Sequence, residues 1–427
     1  MRGKITQYRS LALLFPERGF LPVWLAGLFI IIAETALAIT ITWNAWEASG
    51  SATSVGLVIA ALSLPKLILE TFIGESVDIS NRRSLMIIGC FGTLLVSIAL
   101  SVVSVAGFMH RGLLAVLVIW FLPVCSMLFH RARSSLLPKL YPDATTLLQV
   151  NSILRTTSEG AGFLGGGVAL LISIVGASWV MFCAIVFALF ATLFAGLVPD
   201  CDADRKQVRV RLPSRKTQSV SFGEILHNRF LVWFVVVIGL SNIPHKAINA
   251  MIIPLASSRF GVGAQGFGLL ELALSLGVIS SYLLSGAFFA KKCPYRLTIF
   301  GLAWSAVAVI LVPLSNNFAM VILLVAYGFS EGFFLPAYTK YSLTINDSSR
   351  GRAYALFNSI ALVLSPIAQV GAGFVVDEYG VSALYTFSGL LLIVITIVAW
   401  ALNPRQKELP EGIVSCLLYT SPSPRDA

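Results

Sequence analysis

Charge is scarce in this sequence. Of its 427 residues 12% are charged and 57% are hydrophobic, whereas soluble domains carry about 25% charged and about 45–50% apolar residues. That balance excludes an ordinary soluble protein. It equally excludes a disordered chain, which needs low hydrophobicity. No G-x-x-x-x-G-K-[ST] stretch occurs, so ATP-driven pumping by this chain is not expected. No His/Cys/Glu cluster has metal-ligand spacing. Cys90, Cys125, Cys183, Cys201, Cys293 and Cys416 form no C-x-x-C pair, which points away from a zinc site and from a disulfide framework. No cofactor is expected, and no nucleophile–base spacing marks an enzyme. The net charge of +10 does not mark a nucleic-acid binder, because no Lys/Arg-rich run with interleaved aromatics stands apart from the short polar breaks.

What the sequence has instead is apolar blocks of about 18–25 residues, the length that crosses a bilayer core of about 30 Å. Twelve can be placed. The first six spans run Leu21–Trp43, Ser54–Ile73, Leu85–Phe108, Leu113–Phe129, Leu147–Val175 and Trp179–Val198. The second six run Phe230–Leu255, Phe267–Phe289, Leu297–Leu314, Phe318–Tyr338, Tyr354–Val376 and Leu384–Leu402. Residues 1–198 and 223–404 therefore read as two six-helix bundles joined by a polar connector over 199–222 that holds Arg205, Lys206, Arg209, Arg211, Arg215 and Lys216. No small-residue cleavage site follows the first apolar run, so it reads as a retained span and not a signal peptide. Residues 405–427 form a tail. Within it Cys416 to Asp426 looks like a translated transposon-type sequencing adapter and is set aside, with the natural C-terminus expected to differ.

Orientation follows from the basic residues. With the N-terminus inside, Arg2, Lys4, Arg9, Arg18, Arg82, Arg83, Arg131, Arg133, Lys139, the connector cluster, Arg229, Lys291, Lys292, Arg296, Lys340, Arg350, Arg352, Arg405 and Lys407 all fall on the inner side. Only Arg111 and Arg259 fall outside. The asymmetry puts both termini in the cytoplasm. The halves also echo each other. Gly74 and Gly89 flank the break after span two, and Gly286 and Gly301 flank the break after span eight at the same offset of 212 residues. Asn151-Ser152-Ile153 returns as Asn358-Ser359-Ile360. Parallel six-helix repeats are a transporter signature, with the site at their interface.

Span two runs into Gly74-Glu75-Ser76-Val77-Asp78-Ile79-Ser80-Asn81-Arg82-Arg83. This resembles the G-x-x-x-D-x-x-x-R-R loop of the major facilitator superfamily of secondary transporters. The glycine would permit a tight helix exit, Asp78 could face a helix N-terminus or an arginine, and the arginines would hold the loop at the cytoplasmic surface. The resemblance implies a conformational latch of Gly74, Asp78, Arg82 and Arg83 that holds the halves together when the outward cavity is open. A plain positive-inside loop is the other reading. The second copy has Ala290 where the aspartate would stand. Arg131-Ala132-Arg133-Ser134-Ser135-Leu136-Leu137-Pro138 is similar to the loop between helices four and five of bacterial drug and siderophore exporters. Pro336-Ala337-Tyr338, Arg350-Gly351-Arg352 and Asn358-Ser359 match the same pattern in the second half. The placement nearest to hand is the macrolide-efflux-like and enterobactin-exporter-like branch. Two departures stand out: Gly166 occupies the place of a proline in the glycine-rich run of span five, and the arginine-centred motif of helix four is not recognisable.

Ionisable groups inside a bilayer are costly, about 2.5–3.5 kcal/mol on insertion scales, so each is a candidate site. The spans hold Glu34, Glu70, Glu159, Glu271 and Glu331 against Lys66, Arg155 and Lys246. Five acids against three bases leave carboxyls without cationic partners, and desolvation favours their protonated form. Lys66 with Glu70 and Arg155 with Glu159 are each four residues apart and can pair on one helix face, as structure or as site. Glu34 stands alone in the middle of span one, as a proton site or as an anchor for a cationic substrate group. Glu331 lies deep in span ten, Glu271 nearer the outer end of span eight, and Pro244-His245-Lys246 in the outer half of span seven, where Lys246 could pair with Glu34 or Glu271 or meet an anionic substrate.

The expected protein is all-α and polytopic, with twelve transmembrane helices as two pseudo-symmetric bundles. It is expected in a bacterial cytoplasmic membrane as a monomer, without a nucleic-acid partner. Its expected work is proton-driven export of an amphipathic, drug-like or siderophore-like molecule. An importer or lipid transporter of the same superfamily, or a non-transporting membrane sensor, is the alternative.

Overall fold

A computed structural model describes residues 19–79, 81–105, 113–141, 150, 154, 157–158, 160, 167–168, 171–172, 174–200, 228–260, 263–288, 293–344 and 347–402. In some helical stretches, 66–79 and 347–362 the longest, the description is of backbone only. Seven helices among these residues are long and apolar enough to cross a membrane.

Span one is the helix Phe20–Ser49, 30 residues long, or about 45 Å at 1.5 Å per residue. That exceeds the hydrocarbon thickness and lets the helix cross and project. It stops at Gly50, whose φ of 61° is open to glycine at little cost. The Gly50 N–H closes the last turn on the Trp46 carbonyl at 2.8 Å. The chain reverses there into span two, Ala52–Ile79.

Two boundaries differ from expectation. Span two does not exit at Gly74: the helix runs through it to Ile79, since one interior glycine costs only about 1 kcal/mol. The break falls instead at Asn81, whose side chain accepts from the Ser84 N–H at 3.0 Å and caps span three, Arg82–Val105. Span four, expected to end at Phe129, continues to Leu140. The stretch from Arg131 to Pro138 is therefore helix and not loop. Its apolar members Ala132, Leu136 and Leu137 are buried with Phe20, Val23 and Met86, so packing holds the helix together beyond the point where hydropathy falls.

Most of span five lies outside the described residues. Span six, Ala177–Gly196, buries Ala184, Ala188, Ala191 and Ala195. A stripe of small residues at helical spacing permits close helix packing. Phe29 of span one lies against Phe187, Phe190 and Phe194, with ring centroids 6.0, 5.6 and 5.7 Å away.

In the second half Asn228 caps Arg229–Ala250 by accepting from the Phe230 and Leu231 N–H groups. Span seven is interrupted at Met251 and resumes as Ile252–Phe260. Spans eight and nine are Gly263–Phe288 and Pro294–Leu311. Span ten is built of three pieces: Asn317–Phe329, a 3-10 turn Ser330–Phe333, and Leu335–Thr344. Spans eleven and twelve fall within Asp347–Ala401 and are separated at Gly380, φ 83°. Spans eight and ten meet backbone to backbone: a Cβ on Gly277 would lie 2.1 Å from the Val325 carbonyl oxygen, and one on Gly328 would lie 2.2 Å from that of Leu274.

The halves meet differently at their two ends. At the Gly50 end, Ala52 and Val55 of span two share an apolar cluster with Ala247, Ala250 and Met251 near the span-seven break and with Ala372, Val376 and Leu384. Trp43 stacks on Phe267 of span eight at 6.4 Å. At the Asn81 end the buried cluster of Phe20, Met86, Phe129, Leu136, Leu154 and Val198 lies wholly within the first half.

Candidate functional site

Span one places Glu34 near its middle, between the buried Ala33 and Ala36. Span four lays three polar residues along the facing surface, at 126, 130 and 133, a spacing that puts them on one side of a helix. Ser126 Oγ donates to Glu34 Oε2 at 2.9 Å. His130 Nε2 is 3.6 Å from the same oxygen, with the Glu34 side chain 17% and the His130 side chain 33% exposed. Glu34 Oε1 is buried without a hydrogen-bond partner among the described residues. Arg133 sits close enough for its charge to act on Glu34. Its guanidinium lies 5.5 Å from the Phe129 ring centroid, and glycine at position 27 leaves room for it, since a Cβ there would lie 2.4 Å from Nη1. Cys90 and Cys125 complete the surround.

The arrangement gives one carboxylate an imidazole and a guanidinium as neighbours and leaves one of its oxygens open. A carboxylate so placed can take up a proton, exchange it with the imidazole, or accept a donor from a bound molecule. Sequence reading singled out Glu34 but not Ser126, and it missed His130 and Arg133 because it ended span four at Phe129 and gave the next residues to a loop. The signal was present in the spacing of the three, which places them on one side of the helix.

The second half holds a different constellation. The His245 ring stacks on Tyr327 at 5.6 Å and meets Phe334 edge-on at 6.0 Å. Its Nδ1 lies 2.6 Å from the Ser241 carbonyl oxygen, which can only accept, so Nδ1 carries a hydrogen. The His245 Nε2, the Tyr327 hydroxyl and the Tyr385 hydroxyl are buried without partners among the described residues. Glu331 lies in the 3-10 turn of span ten, within electrostatic range of Tyr327, and Glu271 lies within range of Tyr385. Both glutamates are half-buried. Gly328-Phe329-Ser330-Glu331-Gly332 carries the spacing of a hydrolase nucleophile turn. Here the stretch joins a helix to a 3-10 turn, with no preceding strand, and Ser330 Oγ is spent on the Tyr327 carbonyl at 2.6 Å, so it lacks the exposed strand-to-helix position of a nucleophile.

The remaining candidates divide. Lys246 is exposed and makes no ion pair with Glu34 or Glu271 among the described residues. The side chains of Lys66, Glu70, Asp78, Arg155 and Glu159 lie outside the described residues, and Gly74 is described only as part of the span-two helix. Arg82 is buried and its Nε donates to Ser135 Oγ at 3.0 Å. Arg83 donates to the Gly196 carbonyl, and Asn81 donates to both oxygens of Asp200 at 3.0 and 3.1 Å. These contacts tie span three to the ends of spans four and six, all within the first half. Among the described residues no group of three or more His, Cys, Asp or Glu could hold a metal ion.

The sequence matches the profile of the Major Facilitator Superfamily over residues 23–244 and 237–415. It is 24% identical over 397 residues to Macrolide efflux protein A of Streptococcus pyogenes, covering 91% of this chain and 96% of that one. It is also 24% identical over 393 residues to Multidrug efflux pump Tap of Mycolicibacterium fortuitum, covering 86% and 91%. Among solved structures the fold is similar to a D-xylose-proton symporter, with TM-score 0.71, 14% identity and 91% and 98% of the two chains covered. It is similar as well to the nucleoside transporter NupG, with TM-score 0.69, 12% identity and 91% and 99% covered. With the profile matched along nearly the whole length and the twelve-helix, two-bundle architecture shared, this chain belongs to the Major Facilitator Superfamily of membrane transporters.

Proposed function

We propose that this transporter exports an amphipathic small molecule from the cytoplasm in exchange for protons. The observation that carries the reading is Glu34: a carboxylate at the middle of a membrane-crossing helix, held by Ser126, beside His130 and with one oxygen open. Proton uptake there would alter its attraction to Arg133 and the hydrogen bond to Ser126, which is the kind of local charge change that biases a two-state element. The efflux activity in the names of the two relatives supports the outward direction. The fold likeness to a proton symporter is silent on direction, because one fold hosts many functions.

The basic-residue asymmetry supports a cytoplasmic Asn81 end and an outer Gly50 end. On that reading the contacts at the Gly50 end close this conformation to the outside, and substrate would enter between the bundles from within. Glu331 and Glu271 are second-rank proton or substrate groups, and Lys246 is a contact for an anionic part of a substrate. Lys66, Glu70, Arg155 and Glu159 remain candidates as charge pairs, and Gly74, Asp78, Arg82 and Arg83 as the inner latch. The protein would work as a monomer in a bacterial cytoplasmic membrane, driven by the proton gradient without a bound cofactor.

The test is efflux of a substrate panel from cells lacking their own exporters, with and without an uncoupler, for the wild type and Glu34→Gln. Efflux that collapses with the uncoupler and with the substitution fits the proposal. Efflux that ignores both removes proton coupling through Glu34.

A further inference from the structure

We infer that Asp377 is the outer latch of this transporter, a positioning residue that holds the two halves together when the cavity faces the cytoplasm. The inference rests on the orientation proposed above. Asp377 stands at the outer end of span eleven. It reaches across to the start of span two, more than 320 residues away in sequence. Its Oδ2 accepts from Ser51 Oγ at 2.7 Å and from the Thr53 N–H at 3.0 Å, and its Oδ1 accepts from the Ala52 N–H at 2.7 Å. The first N–H groups of a helix have no partner within the helix and carry its positive dipole end. A cap normally comes from the residue just before the helix. Here Ser51 Oγ takes the Ser54 N–H at 3.4 Å, and the carboxylate of the other bundle takes those of Ala52 and Thr53, which are satisfied only while the halves touch.

Packing around the contact agrees. A Cβ on Gly56 would lie 2.4 Å from the Gln369 carbonyl oxygen, and one on Gly373 would lie 2.5 Å from that of Ala52. Spans two and eleven thus approach backbone to backbone at Gly373 and again at Gln369, about one and two turns inward from the capping carboxylate. The apolar cluster of Ala52, Val55, Ala247, Met251, Ala372 and Val376 lies directly beneath. Opening the outer end must break all of this, and the charged hydrogen bonds are its directional part. The same helix pair carries the expected inner latch at its other end, where Asp78 closes span two. Each of the two helices would then end in an aspartate that holds one side shut: Asp78 of span two on the cytoplasmic side, Asp377 of span eleven on the outer side.

The experiment measures the separation of the outer ends in lipid nanodiscs by pulsed electron resonance. Spin labels go on Ala48→Cys in the first half and Leu314→Cys in the second, in a background from which the six native cysteines are replaced. Asp377→Ala is expected to raise the population with separated outer ends by about three- to tenfold. Ser51→Ala, which removes one of the three donors, should move it the same way by less, and Asp377→Glu should restore part of the closed population. Thermal unfolding of each variant establishes that the protein is folded. A folded Asp377→Ala protein with unchanged label distances would overturn the latch, as would a shift toward the closed population. If Glu34→Gln leaves efflux unchanged while the distances still respond to Asp377, the proton-coupling proposal fails and the latch stands.

Discussion

The two halves of this transporter treat their buried polar groups in opposite ways. In the first half, Glu34 is met by Ser126 and faced by His130 and Arg133, so an ionisable group sits among partners that can answer a change in its charge. In the second half, His245 Nε2 and the hydroxyls of Tyr327 and Tyr385 are buried unpartnered among the described residues, while the surrounding helices are locked by the mutual contact of Gly277 and Gly328 with facing backbone. Gly92 of the first half faces the tip of a side chain, Cys125 Sγ, while Gly89 near it meets the backbone of Cys125 and Phe129. The difference indicates a division of labour: an ionisable group among answering partners in the first half, and a wall of unpartnered polar atoms between tightly packed helices in the second.

The sharpest way to break that comparison is to exchange the acids. Glu34→Gln should reduce proton-driven efflux by on the order of tenfold or more with little loss of folded protein. Glu331→Gln should reduce it much less. Equal losses in a vesicle efflux assay would mean that both halves titrate, and the division would be gone.

Rigidity is tested next. Gly328→Val must push a side chain into the Leu274 carbonyl, where even a Cβ would be 2.2 Å away. Overpacking of this kind costs about 1–3 kcal/mol, and backbone yields less than a side chain does. Gly371→Ala, where a Cβ would meet nothing within 4 Å, should be neutral or stabilising by up to about 1 kcal/mol. Thermal unfolding in detergent reads both, and the comparison weakens if the two behave alike.

How far the sequence reveals these features depends on the length scale of each. The spans are legible because burial in a bilayer demands long apolar runs, and the offset between Gly74/Gly89 and Gly286/Gly301 already exposes the repeat. Glu34 is legible because a lone acid in lipid is costly. The ends of spans two and four are not: one interior glycine is too small a cost to stop the helix at Gly74, and the packing of Ala132, Leu136 and Leu137 carries span four past Arg131, where local composition argues for a stop. The loss of those ends hid His130 and Arg133. The Asp377 cap is invisible for a deeper reason: its donors lie in the other half, and a single sequence carries no signal that joins residue 51 to residue 377.

The role of His130 sharpens the first half of the comparison. His130→Gln removes a group that can hold a proton beside Glu34 while keeping a polar side chain of similar reach. Efflux should fall several-fold, less than with Glu34→Gln, and its pH profile should change shape. A uniform fall at every pH would make His130 a packing residue alone.

Tyr327 offers a smaller effect in the second half. Its hydroxyl is buried without a partner among the described residues, so Tyr327→Phe removes a polar atom that gains nothing from the fold. The change in stability should stay within about 0.5 kcal/mol or favour the variant. A loss of about 1 kcal/mol or more in thermal unfolding would show that the hydroxyl is engaged, and the wall would then be a working part of the site.

The smallest effect separates the interior carboxylate from the one at the outer end. Partial burial pushes the Asp377 carboxyl up, but the hydrogen bonds from the Ser51 hydroxyl, from Thr53 and from the Ala52 N–H outweigh it and hold the group below its ordinary value. An acid whose value is lowered in the closed form contributes its stabilisation above the ordinary value, about 3.9, and loses it only as pH falls through the lowered one. Acidifying the outer face from about pH 7 to about pH 5 should therefore leave the Asp377 contact charged, so Asp377→Asn, which removes the titratable group there, should show the same change in outer separation over that step as the wild type. If the wild type opened under that mild acid and Asp377→Asn did not, Asp377 would itself be sensing protons, and the separation between a titrating interior and a permanently charged outer contact would have to be abandoned.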